Sequence, residues 1–139
     1  HYPLRRQRQM CIRDRLRGEL NNASDGYLRN LLAAFLFRGD DVHKKIKHLS
    51  GGEKSRLVMA RLLSQHNNLL VLDEPTNHLD IQSREVLLDA LKRFEGTILF
   101  VSHDRHFLAE LAEKVYEVDK GKITIYPGNY DYYLSKTVS

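Results

Sequence analysis

The sequence lacks the features that mark secreted and membrane-spanning proteins. It has one cysteine, Cys11, so no disulfide bond can form within the chain. Its longest purely apolar run covers only residues 31–37, whereas a helix that crosses a bilayer needs ~20 residues. The arginines near the N-terminus are not followed by an apolar stretch, so they do not resemble a signal peptide. We therefore expect a cytoplasmic protein.

A broad excess of positive charge is also lacking, because the extra basic residues lie at one end. The net charge is +4, but residues 1–17 contain six arginines and one acid. The rest of the chain contains 16 basic and 17 acidic residues. This near-neutral body argues against a protein that binds nucleic acid through an extended basic surface.

Residues 1–17 form a basic leader without helical or strand periodicity. Two interpretations remain open: a basic arm that binds a polyanion, or a leader that does not belong to the natural protein. We adopt the second, expect residues 1–17 to be non-native or disordered, and leave them out of the fold prediction.

Hydrophobic periodicity predicts alternating helices and strands in the remaining chain. The predicted helices are residues 25–37, 53–64, 81–94 and 105–113, with Ser24 or Asp25 capping the first and Gly96 ending the third. The predicted strands are residues 69–72, 97–101, 115–118 and 122–126. Because the first two strands are apolar runs separated by a helix, we expect them to be buried in a parallel α/β sheet.

The first candidate site is the sequence Leu-Ser-Gly-Gly-Glu-Lys at residues 49–54, directly before a predicted helix. Small residues at a helix start expose backbone N–H groups, and the helix dipole adds positive potential, which together favour a phosphate group. The Ser50 hydroxyl adds a further donor. The alternative is a plain glycine turn in which Ser50 is the N-cap, and this motif alone does not decide between the two.

The second candidate site is the acidic pair Asp73 and Glu74 at the end of the first predicted strand. Ligands of α/β proteins bind at the carboxyl ends of the strands. One carboxylate there could hold magnesium through water while the other accepts a proton from an attacking water. The alternative is a pair of capping or surface acids.

The third candidate site is Val-Ser-His-Asp at residues 101–104, at the end of the second predicted strand. A histidine at this position can contact a γ-phosphate or the attacking water. Ser102, His103 and Asp104 are consecutive and cannot converge as a hydrolase triad. A metal site formed by His103 and His106 is a weaker alternative, because no further ligand lies nearby in the sequence.

In this order, the three motifs resemble those of ATP-binding cassette ATPases, over about residues 28–134. The resemblance implies a P-loop NTPase-type parallel sheet with flanking helices. It also implies a Walker B strand ending at Asp73, which holds Mg²⁺ through water, a catalytic Glu74, and a switch histidine at His103. The segment at residues 77–80 corresponds to the D-loop.

The resemblance further implies which residues contact the cofactor ATP. These nucleotide-binding residues are Ser50, Gly51, Gly52 and Glu53 in the signature loop and Asp80 in the D-loop. It divides the chain into a helical signature part at residues 18–64, a part from Walker B to the last strand at residues 65–134, and a tail at residues 135–139.

The sequence Glu-Pro-Thr-Asn-His-Leu-Asp at residues 74–80 resembles the ABC-F group, which consists of soluble proteins with two cassettes and no membrane domain. Residues 35–41 and 126–133 are also similar to this group, the latter to the end of its second cassette. The group implies a ribosome-associated translation factor, in contact with tRNA, or a protein that protects ribosomes from antibiotics. The alternatives are the ATPase subunit of a membrane transporter and a DNA-associated module.

The sequence Gly-x-x-x-x-Gly-Lys-Ser/Thr, the Walker A loop, does not occur in these 139 residues. Residues 51–55 are superficially similar, but the loop is too short to surround a phosphate. We therefore expect an incomplete cassette core and an isolated chain without ATPase activity. In the full-length protein, we expect the signature loop to contact a nucleotide held by a second cassette.

Overall fold

The computed structural model describes residues 9–20 and 23–138, which form an α/β structure. Its α-helices are α1 (Ile12–Glu19), α2 (Asp25–Ala34), α3 (Gly51–Ser64), α4 (Ile81–Lys92), α5 (Arg105–Leu111) and α6 (Tyr130–Thr137). Its strands are β1 (Leu69–Asp73), β2 (Thr97–Val101), β3 (Val115–Asp119) and β4 (Lys122–Tyr126). Two 3₁₀ turns, Gly39–His43 and Ile46–His48, connect α2 to α3. Each helix in this described part of the chain is too short or too polar to cross a bilayer.

The helices before β1 pack around one apolar cluster. Ser24 caps α2, since its hydroxyl oxygen accepts a hydrogen bond from the Tyr27 N–H at 3.2 Å. Leu28 and Leu32, four residues apart, lie on the same face of α2 and are fully buried. On α3, Leu57 and Ala60 are buried in the same cluster. Burial of this apolar stripe stabilises helices whose intrinsic propensity alone would be insufficient.

Strands β1 and β2 form the predicted parallel pair, with Leu69 opposite Thr97 and Asp73 opposite Val101. The parallel sheet with flanking helices is therefore confirmed. Burial of these strands differs from the prediction: Leu70 and Leu72 pack into a second apolar cluster with α4 and α5, but Val71 is 68% exposed. The strands are buried on one face only, because the described helices cover that face and leave the other uncovered.

Strands β3 and β4 form an antiparallel hairpin. Lys120 and Gly121 have positive φ angles of 48° and 75°, as expected in a tight turn whose twist matches that of the strands. Helix α6 packs against one face of this hairpin: the Tyr133 hydroxyl donates a hydrogen bond of 2.5 Å to a Glu117 carboxylate oxygen. This bond raises the pKa of Tyr133.

Part of the predicted leader is folded. Residues 1–8 lie outside the described residues, but Ile12 and Leu16 are buried in the helical cluster. The Ile12 N–H also donates a hydrogen bond of 3.0 Å to the Lys44 carbonyl. The disorder expected for residues 12–17 is not found, because these two apolar side chains stand four residues apart, at helical spacing, among the arginines. The non-native origin of residues 1–17 stays a prediction.

Two further boundaries differ from the prediction. Residues 135–137 of the expected tail continue α6, which Asn129 caps at its start; Ser139 lies outside the described residues. Gly96 does not cap α4, which ends at Lys92. A Cβ atom at Gly96 would lie 2.6 Å from the Asn68 carbonyl oxygen, so glycine is required here by the close approach of two backbones.

Candidate functional site

The structure brings Glu74 and His103 together at the carboxyl ends of β1 and β2. The His103 N–H donates a hydrogen bond of 3.3 Å to Glu74 Oε2, and His103 Nε2 lies 3.4 Å from Glu74 Oε1. The two residues are 29 positions apart and meet because the strands that precede them are parallel neighbours in register. The third motif therefore lies beside the second, at the edge of the sheet where α/β proteins bind ligands.

The backbone after β1 turns sharply so that the Glu74 side chain reaches β2. Glu74 has a φ angle of 46°, a left-handed conformation that is rare for residues other than glycine. Its N–H donates a hydrogen bond of 2.8 Å to the Val101 carbonyl, and its carbonyl accepts one of 3.1 Å from the Asn77 N–H. Thr76, in the same turn, is buried. These contacts hold an unfavourable conformation that costs about 1–3 kcal/mol, a pattern typical of functional sites.

Asp73 ends β1 with an exposed side chain. Its carboxylate forms no hydrogen bond or ion pair with the described residues, so its oxygens are available to a hard cation. Residues 9–20 and 23–138 contain no group of three or more His, Cys, Asp or Glu residues that could hold a metal ion by themselves. Asp73 therefore fits Mg²⁺, which keeps several waters and takes one or two carboxylates.

Ser50 caps α3 in a reciprocal arrangement. Its hydroxyl oxygen accepts a hydrogen bond of 3.1 Å from the Glu53 N–H, while its own N–H donates one of 3.3 Å to Glu53 Oε1. The N-cap interpretation of the signature loop is thus confirmed, but it does not exclude a phosphate. Ser50 and Gly51 are both exposed at the helix start, where the first backbone N–H groups have no partner within the helix.

The Glu53 side chain is held by Ser50 and Lys44, which lie close to it in the sequence. Its Oε2 lies 3.6 Å from Lys44 Nζ. Burial acts to raise the pKa of the Glu53 carboxyl, but hydrogen bonds with Ser50 and the Lys44 charge outweigh it and lower the pKa. This side chain therefore orients the helix start, and a direct nucleotide contact by Glu53 remains a prediction.

Asp80 is likewise a helix cap. Its side chain accepts a hydrogen bond of 2.7 Å from the Ser83 N–H at the start of α4, and the Ser83 hydrogen bonds lower the pKa of Asp80. Asp80 is exposed, and its contact with a nucleotide stays a prediction. The turn before it approaches the signature helix, since a Cβ at Gly52 would lie 3.8 Å from the His78 carbonyl oxygen.

Sequence reasoning missed Arg84, whose guanidinium lies 3.4 Å from Asp104 Oδ2. Asp104 directly follows His103 and caps α5 through a hydrogen bond of 3.1 Å from the Phe107 N–H. That hydrogen bond, with a further contribution from Arg84, lowers the pKa of Asp104. Arg84 lies one turn after Asp80 on α4. Its contact with Asp104 could have been predicted only if α4 and α5 were already known to pack together.

The sequence of the chain matches a known family and several curated proteins. A family model described as ABC transporter matches residues 6–77. The chain is 50% identical over 125 residues to YdiF of Bacillus subtilis (strain 168), whose name describes an ATP-binding protein; the match covers 90% of this chain and 20% of that protein. It is 44% identical over 111 residues to ABC transporter F family member 5 of Arabidopsis thaliana, which covers 80% of this chain and 16% of the relative.

A third relative is YbiT of Escherichia coli O157:H7, also named as an ATP-binding protein, with 46% identity over 107 residues that cover 77% of this chain and 20% of the relative. The chain thus spans about a fifth of the length of the curated relatives it matches. Together with the three motifs and the Glu74–His103 contact, these matches show that the chain belongs to the ATP-binding cassette family, within its ABC-F group.

Proposed function

We propose that the chain supplies the Walker B, D-loop, switch and signature elements of an ATP-hydrolysing cassette in a larger, two-cassette ABC-F protein. The observation that supports this most strongly is the contact between Glu74 and His103 at the carboxyl ends of two parallel strands. A carboxylate paired with a histidine at this edge of the sheet is suited to accept a proton from a water molecule that lies next to a phosphate.

In the proposed reaction, Glu74 acts as the general base. A water oxygen attacks the γ-phosphorus of ATP, Glu74 accepts a proton from that water, and the bond between the γ-phosphorus and the bridging oxygen breaks with its electron pair leaving on ADP. The His103 side chain is 94% exposed and contacts Glu74, so it can contact the γ-phosphate while keeping the carboxylate oriented. Asp73 would hold Mg²⁺ through water, and the ion would supply positive charge that offsets the negative charge of the phosphate oxygens.

The signature loop is proposed to act on a second nucleotide. No hydrogen bond or ion pair among the described residues joins Ser50 or Glu53 to Glu74 or His103. Ser50, Gly51 and Gly52 lie at a helix start, where backbone N–H groups without a partner in the helix suit a phosphate brought by another molecule or domain. We infer that the partner is a second cassette of the full-length protein, and that this segment belongs to the C-terminal one.

The experiment compares Glu74→Gln with Glu85→Gln in the full-length protein. Both glutamates lie beside a histidine, Glu74 at 3.4 Å from His103 Nε2 and Glu85 at 3.0 Å from His106 Nε2. We expect Glu74→Gln to lower kcat for ATP hydrolysis at least about a hundredfold while ATP remains bound, because the base is lost and the binding contacts stay. Glu85→Gln should leave kcat within about twofold. Equal hydrolysis by wild type and Glu74→Gln would refute the proposal.

A further consequence concerns the isolated 139-residue chain, which contains no Walker A sequence. We propose that it does not hydrolyse ATP at a measurable rate, because no loop surrounds the β- and γ-phosphates. Phosphate release should therefore stay at the background level in both wild type and Glu74→Gln. Turnover that disappears in Glu74→Gln would contradict this.

The cellular partner is proposed to be the ribosome, with tRNA contact, in a translation factor or a protein that protects ribosomes from antibiotics. This proposal is supported only by membership of the ABC-F group. Glu74→Gln in the full-length protein should increase ATP-dependent co-sedimentation with ribosomes, because the ATP-bound state persists. Recovery in the membrane fraction together with a membrane protein would instead favour the ATPase subunit of a transporter.

A further inference from the structure

Two hydrogen bonds of Asp104 hold the backbone next to His103. The Asp104 N–H donates a hydrogen bond of 3.0 Å to the Ser102 hydroxyl oxygen, and Asp104 Oδ1 accepts the Phe107 N–H at 3.1 Å. His103 lies inside the first of these hydrogen-bonded turns and directly before the second. Since its imidazole is almost fully exposed and contacts Glu74 alone among the described polar groups, the direction of that ring depends on the backbone that Asp104 holds.

Arg84 holds the second oxygen of the same carboxylate. Its Nη1 lies 3.4 Å from Asp104 Oδ2, and the Asp104 side chain is only 18% exposed. Arg84 also lies one turn into α4, where its N–H donates a hydrogen bond of 3.0 Å to the Asp80 carbonyl. The Arg84 side chain therefore extends from the first turn of α4, whose cap Asp80 ends the D-loop, to the cap of α5, which follows the switch histidine.

We propose that Arg84 is a positioning residue for ATP hydrolysis. By holding Asp104, it keeps the His103 imidazole against Glu74. Because Arg84 belongs to the helix that follows the D-loop, it also couples the position of the imidazole to that of the D-loop. Arg84 touches neither of those two side chains and acts through Asp104. This inference rests on the proposed ATPase function.

A matched ion pair joins the same two helices away from the site. Lys92 Nζ on α4 lies 2.6 Å from Glu110 Oε2 on α5, six residues beyond the cap at Asp104. Lys92 and Arg84 are similarly exposed, at 41% and 40%. If the ion pairs only hold α4 against α5, loss of either should have the same effect. If Arg84 positions His103, loss of Arg84 alone should slow hydrolysis.

The test uses the full-length protein with Arg84→Met, Arg84→Lys and Lys92→Met, where methionine keeps much of the apolar stem and removes the charge. We expect Arg84→Met to lower kcat about tenfold with KM for ATP within about twofold, because the imidazole is misplaced while nucleotide contacts remain. Arg84→Lys should recover part of the loss, and Lys92→Met should keep kcat within about twofold. Hydrogen exchange of the Phe107 amide should accelerate in Arg84→Met and not in Lys92→Met.

The outcomes separate the two proposals. Equal losses of kcat in Arg84→Met and Lys92→Met, or an unchanged Phe107 amide, would overturn the positioning role even if Glu74→Gln abolishes hydrolysis. Hydrolysis that is insensitive to Glu74→Gln, or absent from the wild type, would overturn the proposed function and the Arg84 role with it. A tenfold loss specific to Arg84→Met, with partial rescue by lysine, supports both.

Discussion

The helical region, residues 23–64, and the strand region, residues 69–138, cover their apolar side chains to different extents. Of the large hydrophobic side chains that are exposed in the described residues, two lie in the helical region and eleven in the strand region. Helices can cover one another around a single cluster, whereas a parallel sheet needs a layer on each face. The candidate catalytic residues therefore stand on the region whose apolar surface is less completely covered.

The uncovered surface lies on two sheet faces. One face of β1 and β2 exposes Leu69, Val71, Leu99 and Val101, and one face of the β3–β4 hairpin exposes Tyr116, Val118, Ile123 and Ile125. Surface of this kind contributes little to the stability of the chain by itself. We therefore expect the isolated chain to be marginally stable and to lose the strand region before the helical region when denaturant is added.

The largest expected effect comes from two neighbouring residues of β1. Leu72 is 7% exposed and Val71 is 68% exposed. Leu72→Ala should lower the free energy of unfolding by about 2–5 kcal/mol, because it leaves a cavity beside α4. Val71→Ala should change it by less than about 0.5 kcal/mol. Urea titrations followed by circular dichroism at several protein concentrations measure both.

Similar losses of unfolding free energy in Leu72→Ala and Val71→Ala would contradict the contrast between a covered and an uncovered face of β1. They would mean that the face bearing Val71 is covered in solution, and a dependence of the midpoint on protein concentration would then identify self-association as the cause.

The second prediction concerns the connection between the two regions. Leu63 on α3 packs against both apolar clusters, whereas Leu31 on α2, also half-buried, packs against the helical cluster only. Leu63→Ala and Leu31→Ala should each cost about 1–2 kcal/mol, since neither side chain is fully buried. Only Leu63→Ala should separate the unfolding of the two regions into distinct transitions in hydrogen-exchange measurements. If Leu31→Ala does the same, the two clusters are not joined through α3.

The regular elements were largely predictable from the sequence because their signals are local. The apolar run ending at Asp73 and the spacing of Leu28 and Leu32 specify a strand and a helix without reference to the rest of the chain. The exposed face of β1 was not predictable, because a run of apolar residues does not show which layers cover it. Helix α6 was missed because its three tyrosines and its asparagine cap also suit a loop.

The candidate site was predictable only in part. The strand-end positions of Glu74 and His103 were predicted, and parallel strands bring their carboxyl ends to one edge, but the direct contact between the two side chains was not predicted. The positive φ angle of Glu74 and the buried turn at Thr76 could not be predicted, because a positive φ angle is usually marked by glycine and this turn contains none. The contact of Arg84 with Asp104 depends on how α4 packs on α5, which is decided by tertiary structure.

The third prediction tests whether the difference between the regions extends to local interactions. Ser50 caps α3 in the helical region, and Asn129 Oδ1 caps α6 in the strand region by accepting the Tyr132 N–H at 2.9 Å. Ser50→Ala and Asn129→Ala should each weaken their own helix by about 1 kcal/mol, because each leaves one N–H unsatisfied. Amide exchange resolved by helix measures both effects. A much larger loss of stability in Asn129→Ala would show that the strand region is so close to unfolding that removal of one helix cap unfolds it.

The smallest expected effect is the response to acid. The Phe107 N–H and the Arg84 charge lower the pKa of Asp104 in the strand region. In the helical region, the Arg38 N–H and the Lys44 charge lower the pKa of Asp41. A carboxyl whose pKa is lowered by folding adds stability above its unfolded pKa of about 4 and loses it as the pH falls through the folded value. Both regions should therefore weaken below about pH 4.

Because Asp104 is the less exposed of these two carboxyls, its interactions are less screened by solvent. The strand region should therefore show the larger shift in urea midpoint between pH 6 and pH 3. Asp104→Asn should reduce that shift, whereas Asp41→Asn should leave it unchanged. A larger shift in the helical region, unaffected by Asp104→Asn, would show that the acid response comes from the exposed carboxylates around α3 and that the Arg84–Asp104 pair contributes little to stability. In that case its importance would lie in placing His103.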